Sequence, residues 1–207
     1  KVGAIGYIAP GRVPVRGPDH DLKGQVPALG WDAKYDWVGF VDVDQTPREM
    51  DPERGWIATA NQRIHAPDYP HYLTNEWASP FRQRRIEQML ESNPKHSIND
   101  LRDMHADVKS LAAVPLLPWL QKAKSAHPLA AAAQGQLQSF DGTMAAGKAA
   151  PVIYWAWLRQ ITQGLMADEL GADFYDRTTS SRQFRDAVEG ALGRNDQRAL
   201  EQRLGVL

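Results

Sequence analysis

Proline sets the layout of this chain. Nine of its 14 prolines fall within the first 80 residues, at 10, 14, 18, 27, 47, 52, 67, 70 and 80. The proline ring fixes φ and removes an amide donor, so helix interiors are excluded there and the stretch is left to tight loops and short strands. Ile5, Tyr7 and Ile8, with Val2, form a β-prone run closed by Pro10 and Gly11. No cap, turn or Met precedes that run, so it reads as a strand in need of neighbours, as in a piece of a larger polypeptide. The segments Tyr35-Asp-Trp-Val-Gly-Phe40 and Gly55-Trp-Ile-Ala-Thr-Ala-Asn61 also read as strands, with a proline-bounded loop from Thr46 to Glu53 between them.

After Pro80 the period changes. Phe81, Arg85 with Ile86, Met89 and Leu90 recur at helical spacing until Pro94. Ser97 and Asp100 form a capping-box pattern that opens a second helix through Leu101, Met104 and Val108. Further helices are predicted near 116–124, 129–137, 152–169, 181–192 and 196–204. Within the third of these, Ile153, Trp157, Ile161 and Leu165 make an apolar face that reads as core. The expected architecture is α+β: residues 1–80 as a strand and loop segment, residues 81–207 as a helical segment, together part of one larger domain. Strands cut from their partners should leave apolar side chains exposed near 1–10 and 35–60.

Several functions are excluded by what is missing. Lys plus Arg number 24 against 25 Asp plus Glu, which leaves no field to recruit nucleic acid or an anionic membrane surface. No apolar run reaches the roughly 18 residues of a spanning helix, and the first residues lack the pattern of a secretory signal. With no Cys there is no disulfide, thiolate nucleophile or Cys-based zinc site. The six His make no i, i+4 pair on a predicted helix. Asp42, Asp44 and Asp51 lack the Gly and terminal Glu of an EF-hand loop and read as solvated charge. Gly-x-Ser-x-Gly, P-loop and Gly-x-Gly-x-x-Gly patterns are absent.

Two residues stand out. Asn61 ends a strand-like segment, where its amide can project from a rigid edge and donate to an oxygen that gains charge. The bland reading is a turn or cap residue bonded to nearby backbone. Arg82 lies in the first turn of the next helix, where a cation opposes the helix dipole and needs another reason to be present. Its bland reading is one surface member of the basic cluster Arg82, Arg84, Arg85.

The order Val26-Pro27, Trp37-Val-Gly-Phe40, Pro47, Asp51-Pro52, Gly55-Trp-Ile-Ala-Thr-Ala-Asn61, Asp68-Tyr-Pro70, Trp77-Ala-Ser-Pro-Phe-Arg82 and Arg85-Ile-Glu-x-Met-Leu90 resembles the penicillin acylase (penicillin amidase) family of N-terminal-nucleophile hydrolases. Gly3-Ala-Ile-Gly-Tyr-Ile8 and Phe140-Asp-Gly142 are similar to two further motifs of that family. Residues 1 to about 92 carry the likeness, and beyond them it rests on helical pattern and the Asp-Gly pair. The resemblance implies a partial αββα core with few strands and long loops, followed by a mostly helical lobe.

The family's precursors cut themselves, and the new N-terminal Ser of the large subunit becomes the nucleophile with its own amine as base. Lys1 cannot take that part, and the resemblance places residue 1 inside the large (β) subunit, after the nucleophile. The chain is therefore expected to be an inactive fragment whose partner is the remainder of the precursor. Asn61 matches the family Asn that donates to the oxyanion, and Arg82 matches the Arg that holds the active-site hydrogen-bond network. Trp56, Tyr69 and Trp77 flank them, each with packing under a loop as its main role.

The implied reaction is cleavage of an acyl–amine amide, in a β-lactam side chain or an N-acyl homoserine lactone, with no cofactor in the chemistry. Some members hold a structural calcium between subunits, for which Asp68 and Glu76 are the candidates here, each also readable as a surface carboxylate. The resemblance implies a periplasmic or secreted protein. The rival readings are a non-catalytic binding or interaction domain on the same scaffold, and an acylase relative that has lost its chemistry.

Overall fold

In a computed structural model, residues 3–178 and positions 186, 188 and 190 are described. They divide between two units, Lys1–Gln83 and Arg84–Leu207. The first unit carries four short strands: β1 (Gly6–Ile8), β2 (Pro14–Arg16), β3 (Trp37–Phe40) and β4 (Arg48–Met50). They form two separate antiparallel ladders. β1 pairs with β4 in the register Gly6 to Met50 and Ile8 to Arg48, and β2 pairs with β3 with an irregularity between Val15 and Arg16.

Proline marks the ends of these strands. Pro14 is the first residue of β2, a position a strand tolerates although the ring carries no amide donor. Pro47 and Pro52 bracket β4 from outside, so the expected loop from Thr46 to Glu53 contains a strand instead. The pairing continues past its ends: Ala9 N donates to Pro47 O at 2.8 Å, Asp51 N donates to Ile5 O at 2.9 Å, and Ile5 N donates to Asp51 Oδ1 at 2.7 Å. The strand expected over 55–61 is not formed, since no ladder partner reaches it among the described residues. The exposure expected near 1–10 and 35–60 is present, with Ile8, Trp37, Val38, Val43 and Met50 all open to solvent.

Helices begin where predicted. α1 is Phe81–Glu91 and α2 is Ile98–His105. Ser97 Oγ accepts from Asp100 N while Asp100 Oδ2 accepts from Ser97 N, a reciprocal box of the kind that stabilises a helix start by about 1 kcal/mol. α2 stops at His105, before Val108, because 108–110 turn to extended backbone against the Asp141-Gly142 turn. Met144 N donates to Val108 O and Ser110 N to Gly142 O, both at 2.9 Å. Gly142, at φ 92°, lies so close that an added Cβ would stand 2.9 Å from Ser110 O. Lys109 Nζ lies 2.6 Å from Asp141 Oδ2 and holds that carboxyl well below the usual carboxylate range, helped by bonds from Thr143.

α3 (Leu117–Lys122), α4 (Ala130–Leu137) and α5 (Ala149–Leu170) enclose the core of the second unit, and α6 (Ala172–Thr178), which the sequence reading lacked, follows Gly171. α5 buries Ala150, Pro151, Tyr154, Leu158, Ile161 and Leu165. Ile161 and Leu165 are thus core as expected, while Ile153 and Trp157 pack only partly buried against it. The helices predicted over 181–192 and 196–204 lie outside the described residues, apart from the helical positions Asp186, Val188 and Gly190.

A forked ion pair ties α1 to the segment after α2: Arg85 Nε reaches Asp107 Oδ1 at 2.9 Å and Nη2 reaches Oδ2 at 2.6 Å. The Arg85 guanidinium holds the Asp107 carboxyl below its ordinary value. A depressed folded pKa gives stability that is present above the ordinary carboxylate pKa and is lost as pH falls through the folded one. Arg85→Met should therefore cost about 1–2 kcal/mol at neutral pH, and less as pH drops below about 4. Urea unfolding of both proteins at pH 7 and pH 3 checks this; an undiminished gap at pH 3 would contradict it.

Candidate active site

Asn61 stands at φ 65°, in the left-handed region that Asn enters more readily than most side chains. Its carbonyl accepts from Ala78 N at 2.8 Å, which folds the 61–78 loop back on itself. The guanidinium of Arg82 meets the same turn, with Nη2 donating to Ala60 O at 2.8 Å and to Asn61 Oδ1 at 3.0 Å. Guanidinium has no acceptor, so the side-chain atom facing it must be the oxygen. The amide Nδ2 is thereby turned away from Arg82, and neither of its hydrogens is engaged among the described residues.

The backbone before Asn61 is held by side chains where a strand would have used a neighbouring strand. Gln83, buried in the first turn of α1, donates from Nε2 to Ala58 O at 3.1 Å. Ala60 N donates to Gln62 Oε1 at 2.8 Å. Arg82 and Gln83 together replace a ladder, which explains both the missing strand and a cation at the start of a helix. The two carbonyl oxygens that Arg82 engages offset its unfavourable position on the helix dipole. Sequence reasoning selected Asn61 and Arg82 and passed over Gln83 and Gln62; a buried amide in a first helical turn has no spacing signal.

The flanking aromatics pack. Trp56 lies under the Arg54 guanidinium at 4.8 Å. Tyr69 Oη donates to Gln45 O at 2.9 Å, its phenol pushed up by burial, and its ring sits 4.9 Å from His65, which is itself 5.6 Å from Trp77. Asp68 and Glu76 are exposed on the same loop, and no three His, Asp or Glu side chains gather into a metal-binding group among the described residues.

An oriented amide donor backed by a cation can stabilise an oxygen that gains negative charge. The pair contains neither nucleophile nor base, so it cannot by itself break a bond.

The family model described as penicillin amidase matches residues 1–204. The acyl-homoserine lactone acylase QuiP of Pseudomonas aeruginosa is 32% identical over 183 residues, covering 82% of this chain and 21% of that protein. A penicillin acylase 2 proenzyme from Pseudomonas sp. is 34% identical over 162 residues, covering 78% of this chain and 20% of that one. The chain thus spans about a fifth of the length of these curated relatives. Among solved structures, a thermostable penicillin G acylase from Alcaligenes faecalis aligns with a TM-score of 0.58 at 19% identity, covering 98% of this chain and 45% of that one. That likeness extends the acylase fold, with few strands and many helices, across this chain.

Proposed function

The chain belongs to the penicillin amidase family, and from that premise we propose that it carries the oxyanion-binding part of an amide-bond hydrolase. The bond from Arg82 to Asn61 Oδ1 is the observation that supports this reading most directly. As a hydroxyl supplied by polypeptide outside these residues attacks the amide carbonyl, the carbonyl oxygen takes up the electron pair. Asn61 Nδ2–H donates to that oxygen; when the tetrahedral carbon collapses the C–N bond breaks, the amine leaves with the proton given up by the hydroxyl, and water then releases the acyl group from the hydroxyl's oxygen as a carboxylate. Arg82 acts in two ways. It fixes the rotamer of Asn61, and by drawing charge from Oδ1 it makes the amide N–H a stronger donor.

Acyl homoserine lactones and penicillins are the two substrate classes to test, since relatives are named for each. The Pseudomonas sp. relative is named as a proenzyme, and processing of a precursor is part of the proposal here. The test is amine release by the full-length protein from one substrate of each class. Arg82→Lys should lower turnover about 10- to 100-fold with little change in KM, because an ammonium cannot reproduce the planar fork. Unaltered turnover would remove Arg82 from the chemistry, and no amine release from either class would overturn the reading as a whole.

A further inference from the structure

The second unit contains a cavity of about 560 Å³ between α3, α4 and α5. That volume lies within the range of pockets that hold small molecules, roughly 300–1,000 Å³. Its floor is apolar: Leu120 and Leu137 are buried, and Ile153 and Trp157 are partly buried against the same core. Ile153 and Trp157 are the members of the predicted apolar face of α5 that the core leaves only partly buried, and the cavity opens beside them. Lys124 and Arg159 stand on the wall; among the described residues neither is in an ion pair or hydrogen-bonded, Arg159 faces the Tyr175 phenol, and no Asp or Glu lines the space.

An apolar floor beside two cations without an ion-pair partner among the described residues suits one kind of molecule. The tail must be flexible and apolar, and the head must be a small anion able to take bonds from an ammonium or a guanidinium fork. A cation would meet uncompensated repulsion at the wall, and a short polar anion would leave the floor wet. We propose that this cavity binds a medium-chain aliphatic carboxylate, its tail along Leu120, Leu137 and Trp157 and its carboxylate toward Lys124 and Arg159. Asn61 lies in the other unit, and the proposal does not depend on its role.

Calorimetric titration of the full-length protein with decanoate, decyltrimethylammonium and acetate is the test. Decanoate should bind saturably, and the other two should bind at least tenfold more weakly. Lys124→Glu with Arg159→Glu, both exposed, should weaken decanoate at least tenfold. Ala133→Trp, which fills the cavity from α4 without touching the charge, should remove the same binding, and Asn61→Ala should leave it intact. Equal affinity for decanoate and decyltrimethylammonium, decanoate binding that survives the charge-reversed pair, or no saturable binding would each overturn the assignment. Loss with Asn61→Ala and not with the charge-reversed pair would mean that decanoate binds elsewhere.

Discussion

Asn61→Ala in the full-length protein is expected to lower turnover by about 10²–10³, the usual cost of losing one oxyanion donor. The expectation follows from Nδ2, which the Arg82 bond leaves aimed away from the guanidinium with both hydrogens unengaged among the described residues. Alanine changes a second thing, because Asn61 sits at φ 65° and a left-handed backbone costs most side chains about 1–2 kcal/mol. Asn61→Gly separates the two: glycine accepts that backbone without strain and still lacks the donor. If both variants lose turnover alike while thermal unfolding shifts only for alanine, the missing donor is responsible. Should Asn61→Gly keep full turnover, the amide has no part in the reaction.

The largest stability effect is expected at Leu116. Its side chain is 0% exposed in the core that also contains Leu120, Leu137 and Tyr154. It is held in a 3-10 turn over Val114–Leu116, with Pro115 inside it. That turn runs directly into α3, so the wall has little freedom to close over lost volume. Leu116→Ala should therefore cost about 2–5 kcal/mol, the transfer term plus a residual void. Ile98→Ala at the exposed start of α2 should stay within about 0.5 kcal/mol. Urea unfolding midpoints of the two variants check both values, and a Leu116→Ala cost no larger than that of Ile98→Ala would mean that the core is not closed around this residue.

Features written locally in the sequence were legible. The Ser97 and Asp100 box needs only three residues of spacing, and α1, α2 and α5 are found where proline and apolar period place them. Pairing between distant strands was not. β4 joins β1 across some forty residues, and a three-residue strand between two prolines gives no pattern that separates it from a loop. Segment 55–61 failed in the opposite sense. Its aromatic and β-branched residues look like a strand, yet the acceptors at Ala58 and Ala60 are taken by Gln83 and Arg82 from a helix more than twenty residues away. The motif order pointed to Asn61 and Arg82, but only geometry shows the guanidinium on Oδ1. On α5 the expected stripe was right at Ile161 and Leu165, and Ile153 and Trp157 fall one column aside, where the cavity opens.

Each of the two ladders has just two strands, so every strand keeps one flank of amides and carbonyls without a ladder partner among the described residues. Trp37, Val38 and Met50 stand exposed on those same strands. A segment combining free backbone with bare apolar side chains is poised to adhere to its own kind. Made alone, residues 1–83 would therefore behave as a colloid whose particle size climbs with concentration, and charged substitutions at Val38 and Met50 would be the way to keep them in solution.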